Sequence, residues 1–414
     1  MTQPPLSEIA ILGAGVIGMA IAERLAAEGH EVVLVDPGDP GMAASYGNAG
    51  TIADYAVLPV GTPEVLRNLP TLLFDRNSPL AIRHAALPVL MPWLLRFARQ
   101  SMPGAAARNA GAIAALLAGA APLWRDLAGR IGATDLLREK GCLYLYRTAA
   151  QRRAAEADMA GRRALGVSVE LLDAPALAAL EPGLPDLAGA AFFPGAIFLS
   201  DPGAVMRRLA AHLSPAVPHL RARAERLVRR EDGVHVLGSR LHLRARRVVI
   251  AAGAHSRALA AQAGSAVPLE TERGYHVEWD MASVPPPLTR PSCLTERGFY
   301  LCPMTGRLRA AGTVELGGLH LPPSPHRIAR LAEGARMLLP DLGPPDRDWM
   351  GFRPSMPDSL PVIGPSGGGD DVILAFGHGH LGMTLAPVTA GLVADFIARR
   401  PPTRTVQALR PGRF

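Results

Sequence analysis

Hydrophobic and polar positions fall into blocks at the start of the chain, and the blocks have the lengths of a strand, a helix and a second strand. Residues 9–12 are an uninterrupted apolar run, IAIL. A glycine-rich step follows, then a stretch rich in alanine and leucine, and then a second apolar run, VVLV at 32–35, that ends on Asp36. Short apolar runs bounded by turn residues are typical of buried strands. The pattern therefore predicts a β-α-β unit.

The glycine-rich step has the spacing G-x-G-x-x-G. Gly13 allows a tight turn, Gly15 lets the backbone approach a pyrophosphate, and Gly18 lets the helix pack closely on the strand. The helix begins around Val16 and Ile17, where free N–H groups attract phosphate. Three glycines alone also fit an ordinary turn, but here they stand between a strand and a helix, and an acid ends the second strand. We therefore predict a dinucleotide site.

Asp36 narrows the choice of nucleotide. A carboxylate at this position accepts hydrogen bonds from free ribose hydroxyls and repels a 2′-phosphate, so NADP is disfavoured. NAD and FAD both remain open from this stretch.

The rest of the pattern predicts a long helical region followed by mixed helices and strands. Helical periodicity extends from about Pro63 to Leu137, and strands are expected at 142–148, within 219–250, and at 273–280, 306–315 and 372–377. The apolar run that ends at Ala252 and Gly253 is typical of a buried parallel strand. Helices are expected near 325–339 and from the glycine-rich segment 377–382 to about Arg399. The chain has no internal repeat, which excludes a solenoid.

Composition and charge exclude several classes of protein. The 414 residues carry a net charge of +7, but the arginines are scattered and Lys140 is the single lysine. The chain lacks a basic run interleaved with aromatic residues, the pattern that would indicate nucleic-acid binding. The three cysteines form neither a C-x-x-C pair nor a zinc pattern. The N-terminus lacks the basic region of a secretory signal, so we expect a cytoplasmic protein.

One nucleotide motif in a chain of this length favours FAD. Reductases fed by a nicotinamide cofactor commonly carry two dinucleotide folds, whereas here a single G-x-G-x-x-G is followed, hundreds of residues later, by a glycine-rich loop that opens a terminal helix. A long cofactor could bind the first loop with its ADP half and the last helix with its ring.

Several segments in order along the chain strengthen this expectation. They are ILGAGVIG (11–18), SYGNAG (45–50), NSPLAIR (77–83), RGYHV (273–277), GTVE (312–315), GFRPSMPDSLPVIG (351–364) and GHGHLGMTLAP (377–387). With these motifs the chain resembles the D-amino acid oxidase superfamily of flavoproteins over essentially its full length. It is most similar to the bacterial quinone-linked D-amino acid dehydrogenases within that superfamily.

The resemblance implies an α/β fold with two domains. A Rossmann-like FAD-binding domain would be assembled from residues 1–55, 198–262 and 348–414. A substrate domain, α+β with a mixed or antiparallel sheet, would comprise residues 56–197 and 263–347.

The resemblance also implies the residues that bind substrate. Arg353 lies in GFRPSMPD, where its guanidinium could bind a substrate carboxylate with two parallel hydrogen bonds. The alternative is a structural ion pair, for instance with Asp358. Tyr275 and Tyr55 could each donate a hydrogen bond to the same carboxylate, although a strand tyrosine more often packs with its hydroxyl already satisfied.

Two loops are expected to contact the flavin. Reduction places negative charge at one edge of the ring, and the N–H groups at the start of the last helix would stabilise it, which places Leu381, Gly382, Met383 and Thr384 there. Ser45, Asn48, Ala49 and Gly50 would line its other side, although Asn48 and Gly50 also suit a turn. His378 and His380 belong to a backbone loop at the flavin rather than to a general base. The remaining expected cofactor contacts are Ala224, Ala252, Gly253, Gly377 and His378.

These residues and the resemblance together predict an FAD-dependent oxidative deamination of D-amino acids. Hydride would leave Cα for flavin N5, water would hydrolyse the resulting imino acid to a 2-oxo acid and ammonia, and the electrons would pass from the flavin to a quinone-type acceptor. The alternatives are a cyclic or secondary amino acid as substrate (D-proline, cis-4-hydroxy-D-proline, sarcosine or glycine), a non-catalytic flavoprotein subunit, or an NAD-binding protein.

The sequence also carries expectations about attachment and partners. FAD is expected to be non-covalent, because no cysteine lies beyond Cys302 and the first flavin loop carries Asn48 rather than a histidine. Segment 81–100 mixes large apolar residues with arginines and would suit peripheral contact with an anionic inner membrane. A buried helix of the substrate domain is the alternative for that segment.

Overall fold

The computed structural model describes residues 6–68, 75, 77–283, 286–402, 404 and 406–414. Its first elements are the predicted β-α-β unit: β1 (Leu6–Leu12), α1 (Val16–Ala27) and β2 (Val32–Val35). Both strands pair in parallel, and residues 9–12 of β1 are fully buried. The prediction for this stretch is confirmed.

The remaining helices of the described chain are mostly amphipathic and pack around the sheets. They are α2 (Pro63–Arg67), α3 (Leu87–Gln100), α4 (Pro103–Leu117), α5 (Ala120–Arg130), α6 (Ala149–Ala164), α7 (Ala174–Leu180), α8 (Pro202–Leu213), α9 (Ser256–Gln262), α10 (Pro325–Leu338) and α11 (Gly382–Ile397). The helical region expected at 63–137 is thus divided into several helices. Residues 69–74 and 76 of that region lie outside the described part of the chain.

The first sheet is built from distant segments of the chain. Its further strands are β10 (His219–Leu220), β11 (Arg226–Arg230), β12 (Gly233–Gly238), β13 (Leu241–Ile250), β19 (Val362–Ser366) and β20 (Gly369–Phe376). β13 pairs in parallel with β1 on one side and with β20 on the other, which confirms the buried parallel strand expected before Ala252. α11 then packs against α1.

The second sheet is mostly antiparallel. It contains β4 (Leu80–Ile82), β6 (Cys142–Tyr146), β7 (Glu170–Asp173), β8 (Gly189–Phe193), β14 (Glu270–Asp280), β15 (Ser292–Leu294), β16 (Phe299–Met304), β17 (Arg307–Leu316) and β18 (Arg347–Ser355). A small third sheet joins β3 (Thr51–Ile52), β5 (Leu137–Arg138) and β9 (Ile197–Leu199). The architecture is the expected mixed α/β fold.

The position of β18 bears on the domain boundaries. The sequence places residues from 348 onward with the nucleotide-binding domain, yet β18 pairs along its whole length with β14 of the second sheet. Residues 348–355 therefore belong to the substrate side by pairing, and the chain returns to the first sheet at β19.

Two stretches of the described residues are long and apolar enough to cross a membrane by length and composition, Pro103–Arg130 and Gly379–Ile397. The second is 78% buried inside the fold, which is the behaviour of a core helix. The first comprises α4 and α5, and Gly119 interrupts it with a positive φ of 78°.

Candidate functional site

A single cavity of about 790 Å³ connects the two large sheets. It starts at the carboxyl ends of β1, β2 and β13, passes the loop 43–53, and ends between β14, β17 and β18 of the second sheet. In open α/β sheets, ligands bind outside the carboxyl ends of the strands. The cavity has two functional halves, which we call the nucleotide end and the substrate chamber.

The nucleotide end depends on glycine. Gly13 has φ +113°, and a Cβ there would lie 2.3 Å from the Ala251 carbonyl oxygen. A Cβ on Gly18 would lie 1.9 Å from the Gly13 oxygen, so Gly18 permits helix packing and does not line the cavity. At Gly15 a Cβ would meet only the Ser45 hydroxyl oxygen, at 3.5 Å, so this glycine faces open space where a pyrophosphate fits.

Polar groups surround that space. The Asp36 carboxylate accepts from the N–H groups of Ala14 (2.9 Å) and Gly38 (2.8 Å), which fixes it at the end of β2 with lone pairs left for ribose hydroxyls. Arg223 and His255 also line this end, and the sequence analysis did not single them out. The other expected residues that line it are Val16, Ile17, Ala224, Ala252 and Gly253.

The loop after β2 approaches the middle of the cavity. Ser45, Asn48 and Ala49 line it, as expected, but Gly50 does not. Ser45 accepts from the Val16 N–H (2.9 Å), and Asn48 accepts from the Gly50 N–H (2.8 Å), so their side-chain oxygens hold the loop in shape. Gly50 has φ +80°, which makes it a turn residue rather than a lining one.

The C-terminal loop approaches the cavity from the other side, and the expectation for it needs correction. Gly382 and Met383 line the cavity, whereas Leu381 and Thr384 do not, because consecutive residues of a helical turn point in different directions. Thr384 instead accepts from the Ala53 N–H (2.9 Å) and so ties this loop to the loop that follows β2. Gly377 has φ +84° and forms the turn without lining the cavity.

The two histidines of this loop differ. His378 is buried and its Nε2 lies 2.9 Å from the Thr389 hydroxyl, and burial lowers its pKa to about 3. His378 and His380 both line the cavity, and at His380 burial and the nearby Arg353 lower the pKa to about 4. Both imidazoles are therefore neutral at neutral pH.

Arg353 lies on β18 and lines the substrate chamber. Its Nη1 donates to the Thr313 carbonyl oxygen (2.8 Å), and its guanidinium extends over Gly274, where a Cβ would lie 2.3 Å from Nη2. The alternative of an ion pair with Asp358 does not apply, because Asp358 pairs with Arg413 at 2.7 Å. Burial lowers the pKa of Arg353, but a guanidinium stays charged.

The two expected tyrosines have other partners. The Tyr275 hydroxyl donates to Glu315 (2.9 Å) and accepts from the Ser324 N–H (3.1 Å), although its ring lines the chamber. Tyr55 does not line the cavity, and its hydroxyl donates to the Cys142 sulfur (3.1 Å). Each hydroxyl is already used inside the protein, so neither is placed as the carboxylate donor that the sequence analysis expected.

The chamber contains residues that the sequence analysis missed. Glu272, Tyr144, Tyr300 and Trp349 line it, and so does Cys293. Glu272 is 4% exposed, and burial raises the pKa of its carboxyl above the usual range while Arg353 opposes that rise. A charged residue two positions before the glycine of RGYHV, on a predicted strand, was the available signal for it.

Comparisons with known proteins agree with this geometry. Residues 8–396 match the family model described as FAD dependent oxidoreductase. The chain is 35% identical to "D-amino-acid oxidase" of Bradyrhizobium diazoefficiens, over 99% of this chain and 100% of that protein. It is 34% identical to "D-amino acid dehydrogenase 2" of Ralstonia nicotianae, over 95% and 97% of the two chains.

Solved structures give the same result. Glycine oxidase from Geobacillus kaustophilus has a TM-score of 0.77 at 26% identity, covering 98% of both chains. L-proline dehydrogenase from P. horikoshii has a TM-score of 0.75 at 18% identity, which shows the fold alone. The chain belongs to the family of FAD-dependent oxidoreductases. It is an enzyme of that family, its cofactor is FAD, and the open space at Gly15 beside Asp36 fits that cofactor.

Proposed function

We propose that this enzyme is an FAD-dependent D-amino acid dehydrogenase. The observation that carries the proposal is Arg353, a permanent cation whose side chain faces the substrate chamber with one of its N–H groups used by the Thr313 carbonyl. A guanidinium in this setting binds a carboxylate with two parallel hydrogen bonds. The relatives named for D-amino acids support the choice of substrate.

The protein's part in the reaction is mainly positioning. Arg353 fixes the substrate carboxylate, and the walls of the chamber orient Cα, so that an amino acid is held for oxidation to an imino acid that hydrolyses to a 2-oxo acid and ammonia. Bound FAD would supply the acceptor for the hydride of Cα, which carries both electrons of the oxidation. The start of α11, with Gly382 and Met383 at the cavity, directs N–H groups toward the place where negative charge develops.

Anaerobic bleaching of the flavin by a panel of amino acids tests the proposal. We expect D-amino acids to bleach it and their L-enantiomers to leave it oxidised. Bleaching only by D-proline, cis-4-hydroxy-D-proline, sarcosine or glycine would replace the substrate with a cyclic or secondary amino acid. A flavin that no amino acid bleaches would contradict the proposal and favour a non-catalytic subunit.

The attachment of FAD is proposed to be non-covalent. The chain offers a buried Cys293 at the chamber, but burial raises the pKa of this thiol well above its usual range and so disfavours the reactive thiolate. Acid precipitation should release the yellow cofactor into the supernatant. Colour that stays in the pellet would contradict this.

The electron acceptor is proposed to be a quinone. A lysine beside the flavin would accelerate the reaction with oxygen by stabilising superoxide, but Lys140 is exposed and does not line the cavity. The names of the relatives divide between oxidase and dehydrogenase. Flavin reoxidation should therefore be faster with a soluble quinone than in air-saturated buffer, and the reverse order would make this an oxidase.

Peripheral contact with a membrane is proposed through α3. One face of this helix, with Leu90, Trp93 and Phe97, is buried in the protein, whereas Val89 is 76% and Leu95 65% exposed. Arg96 and Arg99 are exposed near the two apolar side chains, and such a surface suits an anionic lipid headgroup layer.

Cosedimentation with phosphatidylglycerol vesicles tests the contact. The double variant Val89→Ser and Leu95→Ser should lose binding, while Phe414→Ser, an exposed apolar residue elsewhere, should keep it. Equal binding of the wild type, the double variant and Phe414→Ser to the vesicles would contradict the proposed membrane contact. A cytoplasmic location, with the enzyme at the inner face of the membrane, is part of this proposal.

A further inference from the structure

The substrate chamber holds an acidic residue that the deamination scheme above does not use. Glu272 lies on β14 directly opposite Arg353 on β18, and both side chains line the cavity. Glu272 is 4% exposed. A buried carboxylate is costly unless it has a partner, so its place at a ligand cavity calls for a physical account.

Glu272 is not held by an ion pair with its neighbour. Among the described residues, the ion pairs within 4 Å include two other directly opposed Arg/Glu pairs of this sheet, Arg309–Glu278 at 2.7 Å and Arg273–Glu315 at 3.4 Å. The pair Glu272 and Arg353 is not among them. The Arg353 guanidinium instead extends over Gly274. This glycine is the next residue after Glu272 on the same face of β14, and it has no side chain to block the guanidinium.

The chamber therefore presents one cation and one anion as two separate groups. Directly opposed residues of an antiparallel pair have Cβ atoms about 5 Å apart. In an α-amino acid, the carboxylate and the ammonium are bonded to the same carbon and need protein partners at a similarly short separation. A cation at the end of a long side chain would lie farther from the carboxylate site.

We propose that Glu272 anchors the α-ammonium group of the substrate, as Arg353 anchors its carboxylate, and that Glu272 thereby selects amino acids over simple carboxylic acids. The inference rests on the proposed function, because it takes an amino acid as the ligand of the chamber. It explains why no ion pair joins the two groups: Glu272 is hydrogen-bonded by the Ser355 hydroxyl and Arg353 donates to the Thr313 carbonyl, and each keeps further hydrogen-bonding capacity for one end of a zwitterion. Burial strengthens such a contact, since both groups are held away from water.

The test compares two ligands that differ only in the amine, D-phenylalanine and 3-phenylpropanoate. Their dissociation constants are measured anaerobically from the change in the flavin spectrum of the holoenzyme. We expect Glu272→Gln to raise the constant for D-phenylalanine at least tenfold and to leave that for 3-phenylpropanoate unchanged or lower, because the negative charge that repels a free carboxylate is gone. Arg353→Ala should weaken both ligands.

Two further variants separate anchoring from a structural role. Glu272→Asp keeps the charge and should retain part of the preference for the amine. Glu181→Gln changes a buried glutamate that is paired with Arg290 at 2.8 Å and does not line the cavity, and it should leave the preference intact. FAD content, read from the visible absorbance, reports on folding of each variant.

Three outcomes would overturn the proposal: equal weakening of both ligands in Glu272→Gln, no change for either ligand, or a wild-type enzyme that binds D-phenylalanine no more tightly than 3-phenylpropanoate. Failure of the proposed function looks different. A wild-type flavin that binds D-phenylalanine with a spectral shift but is never reduced would contradict the dehydrogenase and still report on Glu272.

Discussion

Strand β14 pairs several charged residues with opposite charges on its neighbouring strands, and three of these pairs fall into two kinds. Arg309 and Glu278, and likewise Arg273 and Glu315, are register partners between β14 and β17 and form buried ion pairs. Glu272 and Arg353 are register partners between β14 and β18, yet they face the cavity unpaired. The same residue types at the same kind of position thus form an ion pair in one place and, in our proposal, bind substrate in the other.

The paired kind has an identifiable task. Arg309 is fully buried and also donates to the carbonyl oxygens of Tyr46 and Asn48, so the ion pair with Glu278 holds the loop that lines the middle of the cavity. His276, on the same face of β14, contacts the Gly47 carbonyl oxygen at 3.2 Å and stacks on Trp349. Buried charges that form ion pairs with each other hold the loops of the site in place, whereas we propose that the two cavity-facing charges bind the ligand.

Removing Arg309 should have the largest effect and should act on stability. Arg309→Met leaves Glu278 as a buried charge with fewer partners and releases two loop carbonyls, which costs about 3–5 kcal/mol. We expect a clearly lower midpoint in urea unfolding and weaker retention of FAD in dialysis. An Arg309→Met protein as stable as the wild type would remove the distinction between the two kinds of pair.

Removing Arg353 should act on catalysis instead. Arg353→Ala deletes the anchor for the carboxylate, and we expect kcat/KM to fall by on the order of a hundredfold or more, with the FAD content unchanged. Arg353→Lys should restore little, because an ammonium cannot make two parallel hydrogen bonds. Steady-state kinetics close to those of the wild type in Arg353→Ala would refute the assignment.

A methyl group at Gly274 sharpens the comparison without touching a charge. The new Cβ of Gly274→Ala would lie 2.3 Å from the Arg353 Nη2 atom and must displace the guanidinium. We expect kcat/KM to fall by roughly tenfold, since small misplacements of an anchoring group are costly. Gly111→Ala, where a Cβ meets nothing within 4 Å, is the matched control and should behave as the wild type.

The smallest effect concerns the pH dependence of stability. Burial raises the pKa of Glu272 in the folded state, so the native protein binds more protons than the unfolded chain between the usual and the raised pKa, and stability falls as pH rises through that window. Glu272→Gln removes this loss. Arg353 and His380 face the same chamber and are present in both proteins.

The difference in Tm between Glu272→Gln and the wild type, measured in thermal scans from pH 4 to pH 8, should therefore become more positive as pH rises. A difference that stays constant across this range would show that Glu272 does not titrate differently in the folded state.

The sequence predicted the nucleotide end far better than the chamber. Gly13, Gly15 and Asp36 lie in one continuous stretch, and their roles follow from backbone geometry that local spacing reveals. The chamber depends on register between strands that are far apart in the chain. Glu272 and Arg273 are neighbours in sequence but point to opposite faces of β14, and only the position of the cavity in the fold shows that Glu272 lines it and Arg273 does not.

Side-chain direction also explains the residues that were expected at the cavity but lie behind it. Tyr55 and Thr384 are each close in sequence to residues that line the cavity, and each points away to hold another element. A motif locates a loop correctly and still leaves open which of its side chains face the ligand, because that depends on turns of 100° per residue in a helix or 180° in a strand.

The order of strands in the first sheet also has a consequence for synthesis of the protein. β13 pairs with β1 on one side and with β20 on the other, and the start of α11 at Gly382 completes the cavity. Contacts between segments this far apart form slowly, because the long intervening chain must first be ordered. Because the cavity needs residues up to α11, nearly the whole polypeptide must be synthesised before the cofactor can be enclosed, and we expect FAD to be loaded late in the maturation of this enzyme.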